Sequence, residues 1–156
     1  MIRLLRRLAW AAVLLTAVAL VGAWLLLRAS LPQLDGEYDA GSAQAPVTLE
    51  RDALGTPTVT GADRAALAYG LGFAHAQDRF FQMDLTRRSV SGSLAELVGI
   101  SQLASDVQAR NLGLRRGAVK TWAKMSDDTR GWLSAYANGV NFWLANNPLP
   151  PEYGAL

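Results

Sequence analysis

The sequence predicts a mainly helical protein with one short β-hairpin, and three patterns support that prediction. An uncharged apolar run lies near the N-terminus, residues 47–61 alternate apolar and polar side chains around a turn, and apolar residues then recur every three or four positions. The chain contains no cysteine, which excludes disulfides, thiolate catalysis and cysteine-based metal sites.

The apolar run covers residues 8–27, which are 20 consecutive residues without a charge. As a helix it is about 30 Å long, the thickness of a bilayer core. It is longer than the apolar region of most signal peptides, and no small-residue cleavage motif closely follows it. Three arginines precede the run, so we expect a cytoplasmic flank at 1–7, a transmembrane signal-anchor at 8–28 and an extracytoplasmic remainder. A cleaved signal peptide and a buried helix of a soluble core are the alternatives.

The charge balance depends on the residues around this run. The chain has 15 Lys and Arg against 13 Asp and Glu. Four of the arginines flank the apolar run, which leaves 11 basic against 13 acidic residues from Ala29 onward. We interpret Arg115 and Arg116 as a lone basic pair on a solvated face. The sequence therefore predicts no nucleic-acid surface.

Residues 29–46 are rich in Gly, Pro, Ser and Asp and show no apolar period, which predicts a linker. Residues 47–61 follow with two alternating segments around a turn that contains Gly55 and Pro57. Because Pro57 cannot donate to a ladder, we expect the second strand to be short or at an edge.

A long helix or a helix pair is predicted from Asp63 to about Val90. Asp63 is a suitable N-cap, and Leu67, Leu71 and Ala74 follow it at helical spacing. The pattern indicates that this segment is the largest helical element of the part after the linker.

Further helices are predicted beyond it. Gly92 and Gly99 bracket a short helical turn, and residues 101–125 are expected to form one or two helices. Ser126 is the N-cap of a final helix that runs to Asn146, where a proline-rich segment ends it. The apolar stripe of that helix consists of Trp132, Leu133, Tyr136, Val140, Trp143 and Leu144.

Residues 73–88 carry the most distinctive pattern. At about 100° per residue they form two apolar sides separated by a polar strip of Gln77, Asp84 and Arg88. Asp84 and Arg88 have the i, i+4 spacing of an ion pair. Polar groups between two buried sides must be satisfied, so we expect the strip to fix how another segment docks.

The only histidine, His75, lies on the remaining polar side, where Asp78 at i, i+3 could pair with it. Two ligands are too few for a metal site, and the sequence has no strained turn that would deliver a catalytic serine. We interpret both residues as hydrogen-bonded within the fold, and a metal ligand or a Ser/His/Asp arrangement is the alternative.

Other candidate residues have similarly ordinary interpretations. Glu96 has no neighbouring carboxylate and is interpreted as a solvated or ion-paired residue. The helical spacing of Trp122, Trp132 and Trp143 favours core packing over ligand stacking.

Five motifs follow one another along residues 47–156: VTLERDALGTPTVTG; ALAYGLGFAHAQDRFFQMDLTRRSVSGSLAELVG; a single Asp106 and Arg110; LSAYANGVNFWL; and LPPEY. In this order they resemble the start of the α-chain region of penicillin acylase (penicillin amidase) family precursors. The most specific part is GFAHAQDRFFQMDLTRRSVSGSLAELVG.

The resemblance implies an N-terminal nucleophile hydrolase with an αββα fold, made as a precursor that cuts itself into α and β chains. A serine at the start of the β chain would attack the amide of a small N-acyl substrate, such as a penicillin or an acyl-homoserine lactone. Its own α-amino group would act as the base, since such an amine has a pKa of about 8. Residues 47–156 would be an incomplete α-chain region in the periplasm, tethered to a bacterial inner membrane through residues 8–28.

The resemblance assigns no catalytic, cofactor or metal residue to positions 1–156, because the nucleophile and the calcium ligands of several family members would lie beyond them. Calcium is expected only in the full-length protein, and this fragment alone is expected to be inactive. The alternative is a non-catalytic, membrane-tethered helical interaction module. Matching charged residues are expected to shape the α chain and its contact with the β chain: Asp78, Arg79, Asp84, Arg87, Arg88 and Glu96.

Overall fold

The computed structural model describes residues 2–29, 31, 33–40 and 45–155, and it divides into two units, Met1–Leu34 and Asp35–Leu156. Part of the predicted linker, at residues 30, 32 and 41–44, lies outside the described residues. The first unit consists of one helix, α1, at Ile2–Ala29. Its segment Arg6–Arg28 is 23 residues long with a mean hydropathy of 2.3, and its most apolar stretch has no buried residue. The predicted helix is confirmed, and its length and composition fit both a membrane span and a signal sequence.

The second unit begins with the predicted hairpin. Strands β1 (Val47–Arg51) and β2 (Pro57–Gly61) pair antiparallel, with Arg51 opposite Pro57. Since the sheet has two strands, Pro57 lies on an edge strand, as predicted. The hairpin packs on the helix that follows: a Cβ at Gly70 would come within 2.5 Å of Val47 and 2.6 Å of Val59.

That helix, α2, runs from Arg64 to Ser91 and has the predicted N-cap. The Asp63 carboxylate accepts the backbone N–H of Ala66 at 2.8 Å. A kink interrupts the helix at Arg79, whose φ is −147° and ψ is 27°. The kink corresponds to the predicted possibility of a helix pair, and it changes the direction in which side chains on its two sides point.

Four shorter helices complete the unit. The short turn is α3 (Ala95–Val98), and residues 101–125 contain α4 (Leu103–Leu112) and α5 (Leu114–Trp122). The last helix, α6, spans Asp127–Asn146, and the Ser126 hydroxyl caps it by accepting the Thr129 N–H at 3.3 Å. Two 3₁₀ turns lie at Ile100–Gln102 and Pro151–Ala155.

Packing of α2 against α6 forms the core. Small residues allow the two backbones to approach closely, and Ala74 and Ala76 are fully buried between the elements. An aromatic cluster extends this core, and one of its members comes from the predicted linker. The Tyr38 ring lies 5.6 Å from Phe73 and 6.0 Å from Phe142.

The three tryptophans expected in the core have different environments. Trp143 is 4% exposed and lies 6.1 Å from the Phe80 ring. Trp132 is half-buried, with the Arg64 guanidinium 5.0 Å above its ring. Trp122 is 43% exposed, so the core prediction is wrong for this residue. The reason is that α5, on which it lies, contributes no buried residue.

Candidate functional site

The densest polar cluster surrounds Asp84, on the part of α2 that follows the kink. Arg87 donates to Asp84 Oδ1 through Nε at 3.0 Å and Nη2 at 2.5 Å. Arg88 Nε donates to Oδ2 at 2.9 Å, which confirms the predicted pair. The Tyr153 hydroxyl also donates to Oδ2, at 3.0 Å, from 69 residues further along the chain. Four hydrogen bonds from three residues thus satisfy a carboxylate whose residue is only 6% exposed.

These contacts fix the protonation states of the cluster. Burial by itself raises the pKa of Asp84, but hydrogen bonds from Arg88, Arg87 and Tyr153 outweigh it and hold that pKa below 3.8. The bond to Asp84 likewise raises the pKa of Arg88. Burial, followed by the hydrogen bond to Asp84, raises the pKa of Tyr153 to about 12. At neutral pH the carboxylate is charged and the phenol is protonated, so neither group is poised for general acid–base catalysis.

The Asp84 cluster joins three segments of chain. Arg88 Nη1 also donates to Glu96 Oε2 at 3.3 Å, which links α2 to α3. Tyr153 brings in the 3₁₀ turn at Pro151–Ala155, and its ring lies 5.2 Å from Phe81 and 6.1 Å from Phe80. The cluster therefore holds the turn after α6 against α2.

A second cluster surrounds Arg51, at the end of β1. Its guanidinium forms a fork on Asp78, with distances of 2.7 Å and 3.2 Å to the two carboxylate oxygens. It also donates to Gln77 Oε1 at 2.7 Å and to the Gly55 carbonyl at 2.9 Å. This cluster fastens the hairpin to α2 just before the kink.

Gln77 and Asp84 are therefore both buried and bonded, yet they belong to separate clusters. The prediction of one continuous strip containing Gln77, Asp84 and Arg88 is wrong in this respect. It assumed an unbroken helix, and the kink at Arg79 shifts the phase between Gln77 and Asp84.

His75 takes no part in either cluster. Its Nδ1 lies 3.0 Å from the Tyr136 hydroxyl, and the two rings are arranged edge to face. The spacing of His75 and Asp78 would permit a pair, but this prediction is wrong, because Arg51 binds Asp78. Both residues are nevertheless hydrogen-bonded within the fold, as interpreted. Within the described ranges no three His, Asp or Glu side chains come together as metal ligands.

A third cluster positions the segment between α2 and α3. The Asp106 carboxylate accepts the backbone N–H groups of Leu94 and Ala95, both at 2.8 Å. Arg110 Nε donates to the Gly92 carbonyl at 2.6 Å. Glycine is needed at position 92 for two reasons. A Cβ there would lie 2.6 Å from Arg110 Cγ, and the backbone has a positive φ of 69°.

The six charged residues expected to form scaffold do not make one site. Asp84, Arg87, Arg88 and Glu96 form a single cluster, whereas Asp78 belongs to the Arg51 cluster. Arg79 is exposed at the kink and donates to Gln82 at 3.1 Å. Sequence reasoning missed the roles of Arg51 and Tyr153, because their partners are 26 to 69 residues away. The scaffold role of the six remains a prediction.

Comparison with known proteins places these clusters in a family. The family model described as Penicillin amidase matches residues 46–156. The chain is 40% identical over 131 residues to the Penicillin acylase 2 proenzyme of Pseudomonas sp. (strain SE83), covering 83% of this chain and 17% of the relative. It is 36% identical over 116 residues to the acyl-homoserine lactone acylase QuiP of Pseudomonas aeruginosa, and that match covers 74% of this chain and 14% of the relative.

A solved structure agrees with these matches. The thermostable penicillin G acylase from Alcaligenes faecalis superposes with a TM-score of 0.65 at 35% identity, covering 71% of this chain and 62% of that one. The chain spans less than a fifth of the length of each of the two curated relatives named above. Since the family model covers most of the chain and includes all three clusters, this protein belongs to the penicillin amidase family.

Proposed function

We propose that residues 46–156 are the first part of the α-chain region of an extracytoplasmic amidohydrolase. The full-length protein would hydrolyse the amide bond of a small N-acyl substrate, such as a penicillin or an acyl-homoserine lactone. The observation that carries this proposal is the family match over residues 46–156, in relatives named for those two substrate classes.

The proposed chemistry uses a serine at the start of a β chain, outside residues 1–156. Its hydroxyl would attack the amide carbonyl while its own α-amino group accepts the proton, because an amine with a pKa of about 8 is partly unprotonated near neutral pH. Water would then hydrolyse the acyl-enzyme. Self-cleavage of the precursor would create the free amine that this mechanism needs.

The residues of this chain would contribute scaffold. The Asp84, Arg51 and Asp106 clusters each join segments distant in sequence through internal hydrogen bonds. Calcium in the full-length protein also belongs to the proposal, but the described residues bring together no ligand group for it, and we assign it no step.

Membrane attachment is a further part of the proposal. The segment Arg6–Arg28 would anchor the enzyme to the inner membrane, with residues 35–155 in the periplasm. The three arginines before the span support this orientation.

The test is expression of the full-length precursor in a bacterial host. We expect two chains to appear, the new N-terminus of the second to be serine, and the product to release the acyl group from an N-acyl nitroanilide or an acyl-homoserine lactone. Substitution of that serine by alanine should abolish both processing and hydrolysis. An open reading frame that stops after Leu156, or an unprocessed and inactive full-length product, would contradict the proposal and favour the non-catalytic interaction module.

A further inference from the structure

Residues 107–126 form the most one-sided charged stretch of the second unit, with five basic residues and no acidic residue. The sequence pattern singled out only Arg115 and Arg116, but Lys120 lies on the same helix and Lys124 follows it. These four side chains are exposed, and none of them forms an ion pair with any residue that the structure describes. No described carboxylate therefore neutralises their charge.

The same helix also exposes apolar side chains. Leu114 is 47% exposed and Val119 is 65% exposed, and α5 buries no residue at all. At about 100° per residue, Leu114, Val119 and Trp122 fall on one side, and Arg116 and Lys120 fall on the other. Arg115 lies within the apolar side, where its long side chain can extend past its neighbours. Among the residues that the structure describes, α5 is thus a basic amphipathic helix whose apolar and basic sides are both exposed.

We propose that α5 binds the surface of an anionic phospholipid bilayer. Its apolar side would enter the headgroup region with Trp122 at the boundary, and Arg116 and Lys120 would bind lipid phosphates. This inference relies on the proposed anchoring only to bring a bilayer close to the protein. A basic segment is a common second membrane signal beside a hydrophobic one.

Charge complementarity favours a lipid surface over a protein partner. A protein would need a complementary acidic groove matched to α5, whereas anionic lipids can rearrange around exposed cations and accept Leu114, Val119 and Trp122 together. The helix is nine residues long, which is about 14 Å, so it offers a small footprint for a stable protein interface.

The test uses the full-length protein reconstituted through α1 into vesicles, with a protease recognition sequence inserted between Leu34 and Asp35. After the anchor is cut, flotation measures the fraction of protein that stays with the vesicles. We expect retention on vesicles containing phosphatidylglycerol and release from phosphatidylcholine alone. The double variant Arg116→Gln/Lys120→Gln should bind anionic vesicles roughly 25-fold more weakly, since each cation contributes about fivefold.

The matched control is Ser134→Glu/Asn141→Glu, two exposed positions of α6 that give the same change in net charge. It should bind like the unsubstituted protein, and equal loss in both double variants would overturn the proposal. Val119→Ser should weaken vesicle binding without lowering the Tm. A lower Tm in the absence of vesicles would show instead that another part of the protein or a second copy covers α5.

The two proposals can fail separately. If α1 does not insert, the protein can be mixed with preformed vesicles, and binding to phosphatidylglycerol still tests α5 on its own. Equal release of the cut protein from both lipid compositions overturns the α5 proposal while leaving the proposed hydrolase intact.

Discussion

Gly72 of α2 and Gly139 of α6 are reciprocal contact points on two packed helices. A Cβ at Gly72 would overlap the carbonyl oxygen of Tyr136, three residues before Gly139. A Cβ at Gly139 would overlap the carbonyl oxygen of Tyr69, three residues before Gly72. The same spacing, a tyrosine followed three residues later by a glycine, thus places each helix backbone against the other.

Gly139→Ala should destabilise the fold by at least about 2 kcal/mol, because a backbone carbonyl cannot move aside as a side chain can. Gly131→Ala in the same helix is the matched control, since a Cβ there would meet nothing within 4 Å. Alanine at Gly131 should stabilise the helix by about 1 kcal/mol. Urea unfolding followed by circular dichroism measures both values, and equal effects would refute the proposed contact.

Asp84→Asn should lower the free energy of unfolding by about 3 kcal/mol, because it leaves Arg88 without its charged partner in a partly buried position. Tyr153→Phe should cost about 1 kcal/mol, the usual contribution of one hydrogen bond. If the two residues interact as described, the double variant should be less destabilised than the sum of the single variants. Additive effects in this double-mutant cycle would show that the hydrogen bond contributes little.

The low pKa of Asp84 predicts a loss of stability in acid. In the unfolded chain this carboxylate binds a proton near pH 3.8, whereas in the folded chain it does so only at lower pH. The stabilisation is therefore present above about pH 4 and lost as the pH falls through the folded pKa. The difference in unfolding free energy between the natural chain and Asp84→Asn should shrink over that range, and a constant difference would contradict the assignment.

Tyr153 predicts a loss of stability in alkali. The ordinary pKa of a tyrosine is 10.0, and the folded chain raises that of Tyr153 to about 12. The unfolded chain therefore releases this proton first, so the stabilisation is fully present below about pH 10 and declines as the pH rises toward 12. Tyr153→Phe lacks this phenol and should lose less stability between about pH 10 and 12. Parallel curves for the two proteins would mean that folding does not raise the pKa of this phenol.

Asp106→Asn should loosen the segment before α3, because an amide can accept at only one of the two positions where the carboxylate now accepts. We expect a cost of about 1–2 kcal/mol and faster hydrogen exchange at the amides of Leu94 and Ala95. Asp127→Asn is the control, since that side chain is 93% exposed and should have little effect. Unchanged exchange at both amides in Asp106→Asn would contradict the capping role.

Local signals in the sequence were sufficient for most elements. Asp63 and Ser126 cap the helices they were expected to cap, and Pro57 lies on an edge strand. The Asp84–Arg88 pair followed from helical spacing alone. Each of these features depends on residues within four positions or on the chemistry of one side chain, which is the range over which a single sequence is informative.

The missed features depend on contacts between distant residues or on backbone geometry. Nothing near Asp84 indicates that Tyr153 will donate to it, and nothing near Tyr38 places its ring on Phe73. The kink at Arg79 could not be predicted from a proline, because α2 contains none. The basic charge of α5 was missed for a different reason. The net charge of the whole second unit combines this local basic stretch with acidic residues elsewhere.

The bond from Tyr153 to Asp84 also has a consequence for biosynthesis. A nascent chain leaves the ribosome N-terminus first, so α2 is synthesised well before α6 and the turn at Pro151–Ala155. Until those segments emerge, Asp84 lacks one of its donors, and Gly72 lacks the α6 backbone against which it packs. Because the contacts that complete this unit join residues far apart in sequence, its packing cannot be completed before Tyr153 has been synthesised, and until α6 is available the side of α2 that contacts it stays uncovered.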